Sequence, residues 1–207
     1  MKYTFHKSLL ISFSLFISPA LLFGGKLPVY AEKGMVVSTS KIASSVGRDI
    51  LADGGNAIDA AVATAFALAV TWPSAGNIGG GGFIVYHSHD GDVSTIDFRE
   101  KAPLAATRNM FLDENGKIRD NSNHSGILAV GVPGTVAGLY KAHQLYGNKQ
   151  WDELVQPAIK LAKNGFPITW ALSNYTKSDY LKKRLNYPST KKKIQKILKK
   201  KNIMGFG

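Results

Sequence analysis

Asn77-Ile-Gly-Gly-Gly-Gly-Phe-Ile-Val-Tyr-His-Ser-His-Asp-Gly-Asp-Val-Ser-Thr-Ile-Asp-Phe-Arg-Glu-Lys-Ala-Pro103 places one cation at a defined point of a fold. Gly79 to Gly82 carry no Cβ atoms, so their backbone can take positive φ and lie against other backbone. Phe83 to His89 reads as a strand, Asp90-Gly91 as a two-residue turn of the primed type, and Val93 to Phe98 as the return strand. Arg99 then stands where that strand ends. A phosphate loop would need Gly-Lys-Ser/Thr opening a helix, whereas here Phe83 and a strand follow. The glycines therefore predict close backbone packing near a cleft.

Upstream, Gly34 to Ser38 reads as a short buried strand. Ser40 caps a helix running to about Ala52, and Gly54 and Gly55 stop it with a left-handed residue. Asn56 caps the next helix, with Asp59 near its positive end. Alanine on nearly every side (Ala60, Ala61, Ala63, Ala65, Ala67, Ala69) predicts that this helix is buried, and Pro73 ends it. Downstream, Asp113 to Gly116 is a turn and Asn121 to Ser125 a polar loop. Pro133 suits the first turn of a helix on which Gly134 and Gly138 share a face. Trp151 to Asn164 is an amphipathic helix with Leu154, Ile159 and Leu161 as core candidates, stopped by Gly165. A weaker helical pattern runs from Pro167 to about Leu185.

The 207 residues carry a formal charge of +12, but not evenly. Residues 177–201 hold eleven Lys or Arg against one acid, and residues 1–31 hold Lys2, Lys7 and Lys26. The stretch between has twelve bases and thirteen acids, so the body is neutral and a nucleic-acid partner is not expected. There is no cysteine, which excludes a disulfide framework, a thiol nucleophile and thiolate metal sites. Lys2 and Lys7, the apolar run Leu9 to Phe23 and the Val29-Tyr-Ala31 end read as a secretory signal cleaved near Ala31. Its apolar run is shorter than the ~20 residues of a membrane span. Residues 1–31 are thus the signal, 32–190 the folded part and 191–207 a Lys-rich tail.

The 77–103 block resembles the large-subunit region of the gamma-glutamyltranspeptidases, as do Asp53 to Ala63, Val132 to Gly138 and Val155 to Ala162. The resemblance covers roughly residues 34–188. It implies an α+β chain, part of an αββα N-terminal-nucleophile hydrolase that lacks its C-terminal catalytic subunit. It also implies an exported enzyme, periplasmic or extracellular. In this family a threonine hydroxyl attacks the γ-glutamyl amide of glutathione, its own α-amine serves as base, and the glutamyl group passes to water or an amine. The catalytic threonine heads the small subunit in a Thr-Thr-His-type context. This sequence has neither a Thr-Thr nor a Thr-His dipeptide, so no catalytic residue and no turnover are expected of the chain alone. The resemblance makes Arg99 the substrate-binding residue for the glutamyl α-carboxylate, a task suited to a planar, permanently charged fork. Taken by itself, Arg99 reads instead as a surface cation paired with Glu100 or Asp97. No cofactor is implied; the expected partners are glutathione or other γ-glutamyl compounds and the small subunit.

Other candidates are weaker. His87 and His89 could share a metal, but no third ligand is evident and exposed hairpin histidines are the plainer reading, so no metal is expected. His124 and Ser125 lack an acid at catalytic spacing, and Asn123 and Asn174 head short glycosylation-type triplets. Residues after about Lys193 read as an out-of-frame tail on a truncated chain. The rival is a non-catalytic fragment, or a cationic membrane-associated protein acting through residues 177–201 with Ile194, Ile197 and Leu198 at helical spacing.

Overall fold

The computed structural model describes residues 28–179. The n-region and apolar run of the expected signal and the Lys-rich tail lie outside them. Residues 28–34 are exposed and without regular structure, and the folded body begins at Met35.

Helix α1 (Lys41–Ala52) starts where Ser40 Oγ accepts the Ala43 N–H at 3.3 Å, and it ends at Gly54 with φ 83°. Helix α2 (Ala57–Thr71) opens on a reciprocal cap. Asn56 Oδ1 accepts from Ile58 and Asp59 N–H at 2.9 and 3.0 Å, and Asp59 Oδ2 accepts from Asn56 N–H at 3.0 Å. Its small side chains let neighbours come close, and Ile58, Ala60, Val62, Ala63, Phe66 and Ala67 are all buried. Gly47 of α1 faces Thr64 and the Ala60 carbonyl, so α1 lies directly on α2.

Helices α3 (Thr135–Tyr146) and α4 (Trp151–Asn164) close the core with Leu139, Ala142, Leu154 and Ala158. Trp151 meets Phe66 edge-on at 5.5 Å. Ile159, expected in the core, is exposed. Leu154, Ala158 and Leu161 form the inward stripe at i, i+4 and i+7, and Ile159 lies one step around the helix from it. A short helix α5 (Trp170–Lys177) follows, capped by Thr169 accepting the Leu172 N–H at 3.2 Å. It starts later than expected and breaks at Ser178, whose ψ of 145° is extended. The remainder of that expected helix lies beyond residue 179.

Strands β1 (Phe83–His87) and β2 (Val93–Asp97) form an antiparallel hairpin in which Val85 faces Thr95. Ile84, Tyr86 and Ile96 turn toward the helices, and Tyr86 stacks on Tyr146 at 4.4 Å. Phe83, Val85 and Val93 face the other way and are exposed. The body is therefore one helical layer under one small sheet.

Two local expectations fail here. The hairpin loop is not a two-residue primed turn: Ser88 N–H donates to Asp92 O, Gly91 N–H to Ser88 O, and Gly91 alone has positive φ, 93°. That is a three-residue loop with a glycine bulge, which spares Asp90 the positive φ a primed turn demands. Residues 34–38 form no strand either; Met35 and Val37 are exposed and only Val36 packs on the core. Among the described residues no strand lies beside this segment to complete its hydrogen bonds. No helix of the described residues is long and apolar enough to cross a membrane.

Candidate functional site

Arg99 sits one residue past Phe98, where the last rung of the hairpin joins Phe98 N–H to Gly82 O at 3.0 Å. Backbone surrounds this point on three sides. Gly81 lies against it so closely that a Cβ there would stand 2.6 Å from Phe98 O and 2.7 Å from Arg99 Cα. Gly134 lies on the Phe98 carbonyl and Gly138 on the Phe98 ring. Lys101 and Val132 exchange two backbone hydrogen bonds, at 3.2 and 2.8 Å. The glycine run is itself tied to α3: Gly80 O accepts from Gly134 and Thr135 N–H at 2.8 and 3.0 Å. Asn77 Oδ1 accepts from Gly80 N–H and from the Thr135 hydroxyl, at 2.7 and 2.8 Å. Those bonds set the start of α3 at Thr135, so Pro133 precedes the N-cap Gly134 instead of occupying the first turn. Three segments distant in sequence thus fix one strand end, and only glycine permits the approach.

The Arg99 side chain is exposed, with its guanidinium carbon 5.9 Å from the centre of the Phe83 ring. A cation over an exposed ring contributes about 0.5–1 kcal/mol. The ion pairs formed among the described residues do not include Arg99. Asp97 Oδ1 accepts the backbone N–H of Arg99 at 3.0 Å. The surface pairing that the sequence allows with Asp97 or Glu100 is therefore absent, and the guanidinium lies by the Phe83 ring.

The remaining candidates do not assemble into a site. His87 ends β1 and His89 lies in the turn, both exposed. No three His, Cys, Asp or Glu side chains among the described residues converge as a metal cluster. His124 and Ser125 are exposed in the polar loop, Asn123 is half-buried, and Asn174 is exposed on α5.

Asp59 is the residue the sequence undervalues. It is fully buried, and besides Asn56 its carboxylate accepts from Asn148 N–H at 3.1 and 3.2 Å and from Lys149 N–H at 3.3 Å. It thereby ties the α3–α4 connection to the start of α2. Asn56 adds a bond to Tyr146 O. Lys149 Nζ reaches Asp53 at 2.7 Å; that hydrogen bond and the attached charge hold the Asp53 carboxyl below its ordinary value and the Lys149 amine above its own. The acid at the third helical position was a visible signal, but its long-range partners are backbone groups that no side-chain pattern reveals.

Comparison with known proteins decides the relationship. The family model for gamma-glutamyltranspeptidase matches residues 43–204. The chain belongs to that family. It is 53% identical over 168 residues to the glutathione hydrolase proenzyme of Pseudomonas sp. (strain A14), covering 80% of this chain and 29% of that protein. It is 51% identical over 151 residues to the glutathione hydrolase proenzyme of Escherichia coli (strain K12), covering 73% and 26%. The crystal structure of Helicobacter pylori gamma-glutamyltranspeptidase is similar at a TM-score of 0.75 and 48% identity, over 80% of this chain and 47% of that one. The chain thus spans less than a third of the length of these two hydrolases. Its mixed helix-and-sheet body is part of the N-terminal-nucleophile hydrolase fold that gamma-glutamyltranspeptidases adopt.

Proposed function

We propose that this chain is the carboxylate-binding part of an enzyme that cleaves the γ-glutamyl amide of glutathione and passes the glutamyl group to water or an amine. The observation carrying this reading is Arg99, whose backbone is fixed at a strand end by glycine contacts and whose guanidinium is unclaimed by any acid among the described residues. A bidentate bond from Arg99 to the glutamyl α-carboxylate would hold the γ-carbonyl at a set distance from the attacking group. In this reading the threonine nucleophile and its base come from a small subunit. Export with cleavage near Ala31 belongs to the same proposal, with 32–190 as the folded part and 191–207 as a tail.

Two measurements test the proposal. The purified 207-residue chain releases no chromophore from a γ-glutamyl anilide above a blank; sustained turnover would place a nucleophile within it. The second uses a chimera in which residues 35–179 replace the matching part of an active relative. There Arg99→Lys keeps the charge but loses the fork. Hydrogen bonds to charged groups contribute ~1.5–3 kcal/mol, so KM rises about ten- to a hundredfold. An unchanged KM would leave Arg99 as an ordinary surface cation.

A further inference from the structure

Asn77 makes no hydrogen bond to Arg99, yet its side chain holds the backbone that packs on Arg99. Its Nδ2 donates to Ala75 O at 3.0 Å, and its Oδ1 accepts from Gly80 N–H at 2.7 Å and from the Thr135 hydroxyl at 2.8 Å. One carboxamide thereby joins the turn that follows α2, the glycine run and the first residue of α3. Gly80 is held at both of its polar groups, because its carbonyl accepts from Gly134 and Thr135 N–H. A Cβ on residue 80 would stand 2.5 Å from Asn77 Oδ1, so glycine there lets the carboxamide lie directly on the main chain. On one side of Gly80, a Cβ on Gly79 would meet only open space. On the other, Gly81 packs on Arg99 Cα and Glu100 N. A shift of Gly80 therefore passes through a single peptide unit to the residue backing Arg99.

Asn77 is exposed and lies outside the hydrophobic core, so its bonds contribute modestly to the stability of the fold. What they fix is position. We infer that Asn77 is a positioning residue for the γ-glutamyl group: its carboxamide locks the glycine run, and the run sets where Arg99 presents its fork to the α-carboxylate. The inference rests on the reading of Arg99 as the carboxylate clamp and adds the residue that aims it. Asparagine suits the place because one planar group gives a bond and takes two. Aspartate takes the same two but cannot donate to Ala75 O, and leucine, of similar size, makes none. Without Oδ1 the run is held from the carbonyl side alone, and glycine backbone is free to move. A displaced fork still attracts the carboxylate by charge, but the γ-carbonyl then stands out of line with the attacking group. A misplacement of ~1 Å can cost on the order of a hundredfold in rate. The loss therefore falls on kcat more than on KM, the reverse of Arg99→Lys.

The test uses the full 207-residue chain for geometry and the chimera described above for turnover. In the chain, nitrogen–proton correlation spectra should show the Gly81 N–H and Arg99 Nε–H signals displaced by Asn77→Leu while circular dichroism stays unchanged. In the chimera, Asn77→Leu should lower kcat on a γ-glutamyl anilide about thirtyfold and move KM by less than about threefold. Asn77→Asp, which keeps both accepted bonds, should recover kcat to within about fivefold of the parent. In an Arg99→Lys background, Asn77→Leu should cost less than about threefold, because the fork it aims is gone. An equal loss in both backgrounds is what a merely structural role predicts, and it overturns the inference. So do unmoved Arg99 signals, a loss confined to KM, Asn77→Asp no better than Asn77→Leu, or a circular dichroism spectrum that collapses in Asn77→Leu. A KM unchanged by Arg99→Lys removes the clamp and this inference with it, whereas a raised KM there beside an inert Asn77→Leu removes this inference alone.

Discussion

Asp59→Ala lowers the unfolding free energy by about 3–5 kcal/mol, measured as a fall in the urea midpoint at constant slope. The carboxylate is fully buried and accepts backbone N–H groups from Asn56, Asn148 and Lys149. Alanine leaves those donors inside without partners, and each orphaned group costs about 1–3 kcal/mol. Domains are stable by only about 5–15 kcal/mol, so the variant sits near the edge of folding. Asp59→Asn keeps one accepting oxygen and should lose roughly half as much. A loss below ~1 kcal/mol for Asp59→Ala would mean that the α3–α4 connection is held by other means.

Gly138→Val costs about 3 kcal/mol or more, at the top of the usual range for overpacking. The new Cβ would lie inside the Phe98 ring. Phe98 has little room to retreat, because Gly134 packs on its carbonyl and Gly82 on its ring. Gly138→Ala gives a test of sign. In an open helix that change stabilises by about 1 kcal/mol through helix propensity alone; here it should destabilise. Phe98→Ala combined with Gly138→Val should recover part of the loss, and the coupling from the double-mutant cycle measures the clash itself. A stabilising Gly138→Ala would show that the ring moves aside freely.

What the sequence made legible was local. Ser40, Gly54, Asn56 and Gly165 each mark a helix end through a bond or a φ that the neighbouring residues alone determine. The alanine helix was readable because composition without an apolar stripe implies burial on several sides. Arg99 at a strand end was readable because the hairpin pattern before it is short and regular. Errors arose where a distant segment decides. Residues 34–38 have the pattern of a strand, but a strand needs a neighbour and no described one lies beside them. The two-residue turn failed because the loop could place its single positive φ on Gly91 by taking one more residue. Ile159 is apolar yet off the face that α2 meets. The partners of Asp59 are main-chain N–H groups that only the folded backbone brings near.

The bond from Gly80 O to the start of α3 sets an order of events in folding. It joins residue 80 to residues 134 and 135 across the hairpin and the long, mostly irregular stretch that follows it. Closing such a loop must overcome chain entropy before any contact rewards it, whereas α1 and α2 adjoin in sequence. The helical pair and the hairpin can form while residues beyond 100 are still being added. The Arg99 geometry waits until Thr135 has left the ribosome. A chain arrested on the ribosome just before that residue would hold a folded helical pair and a loose strand end, and the cation would be present without its bearings.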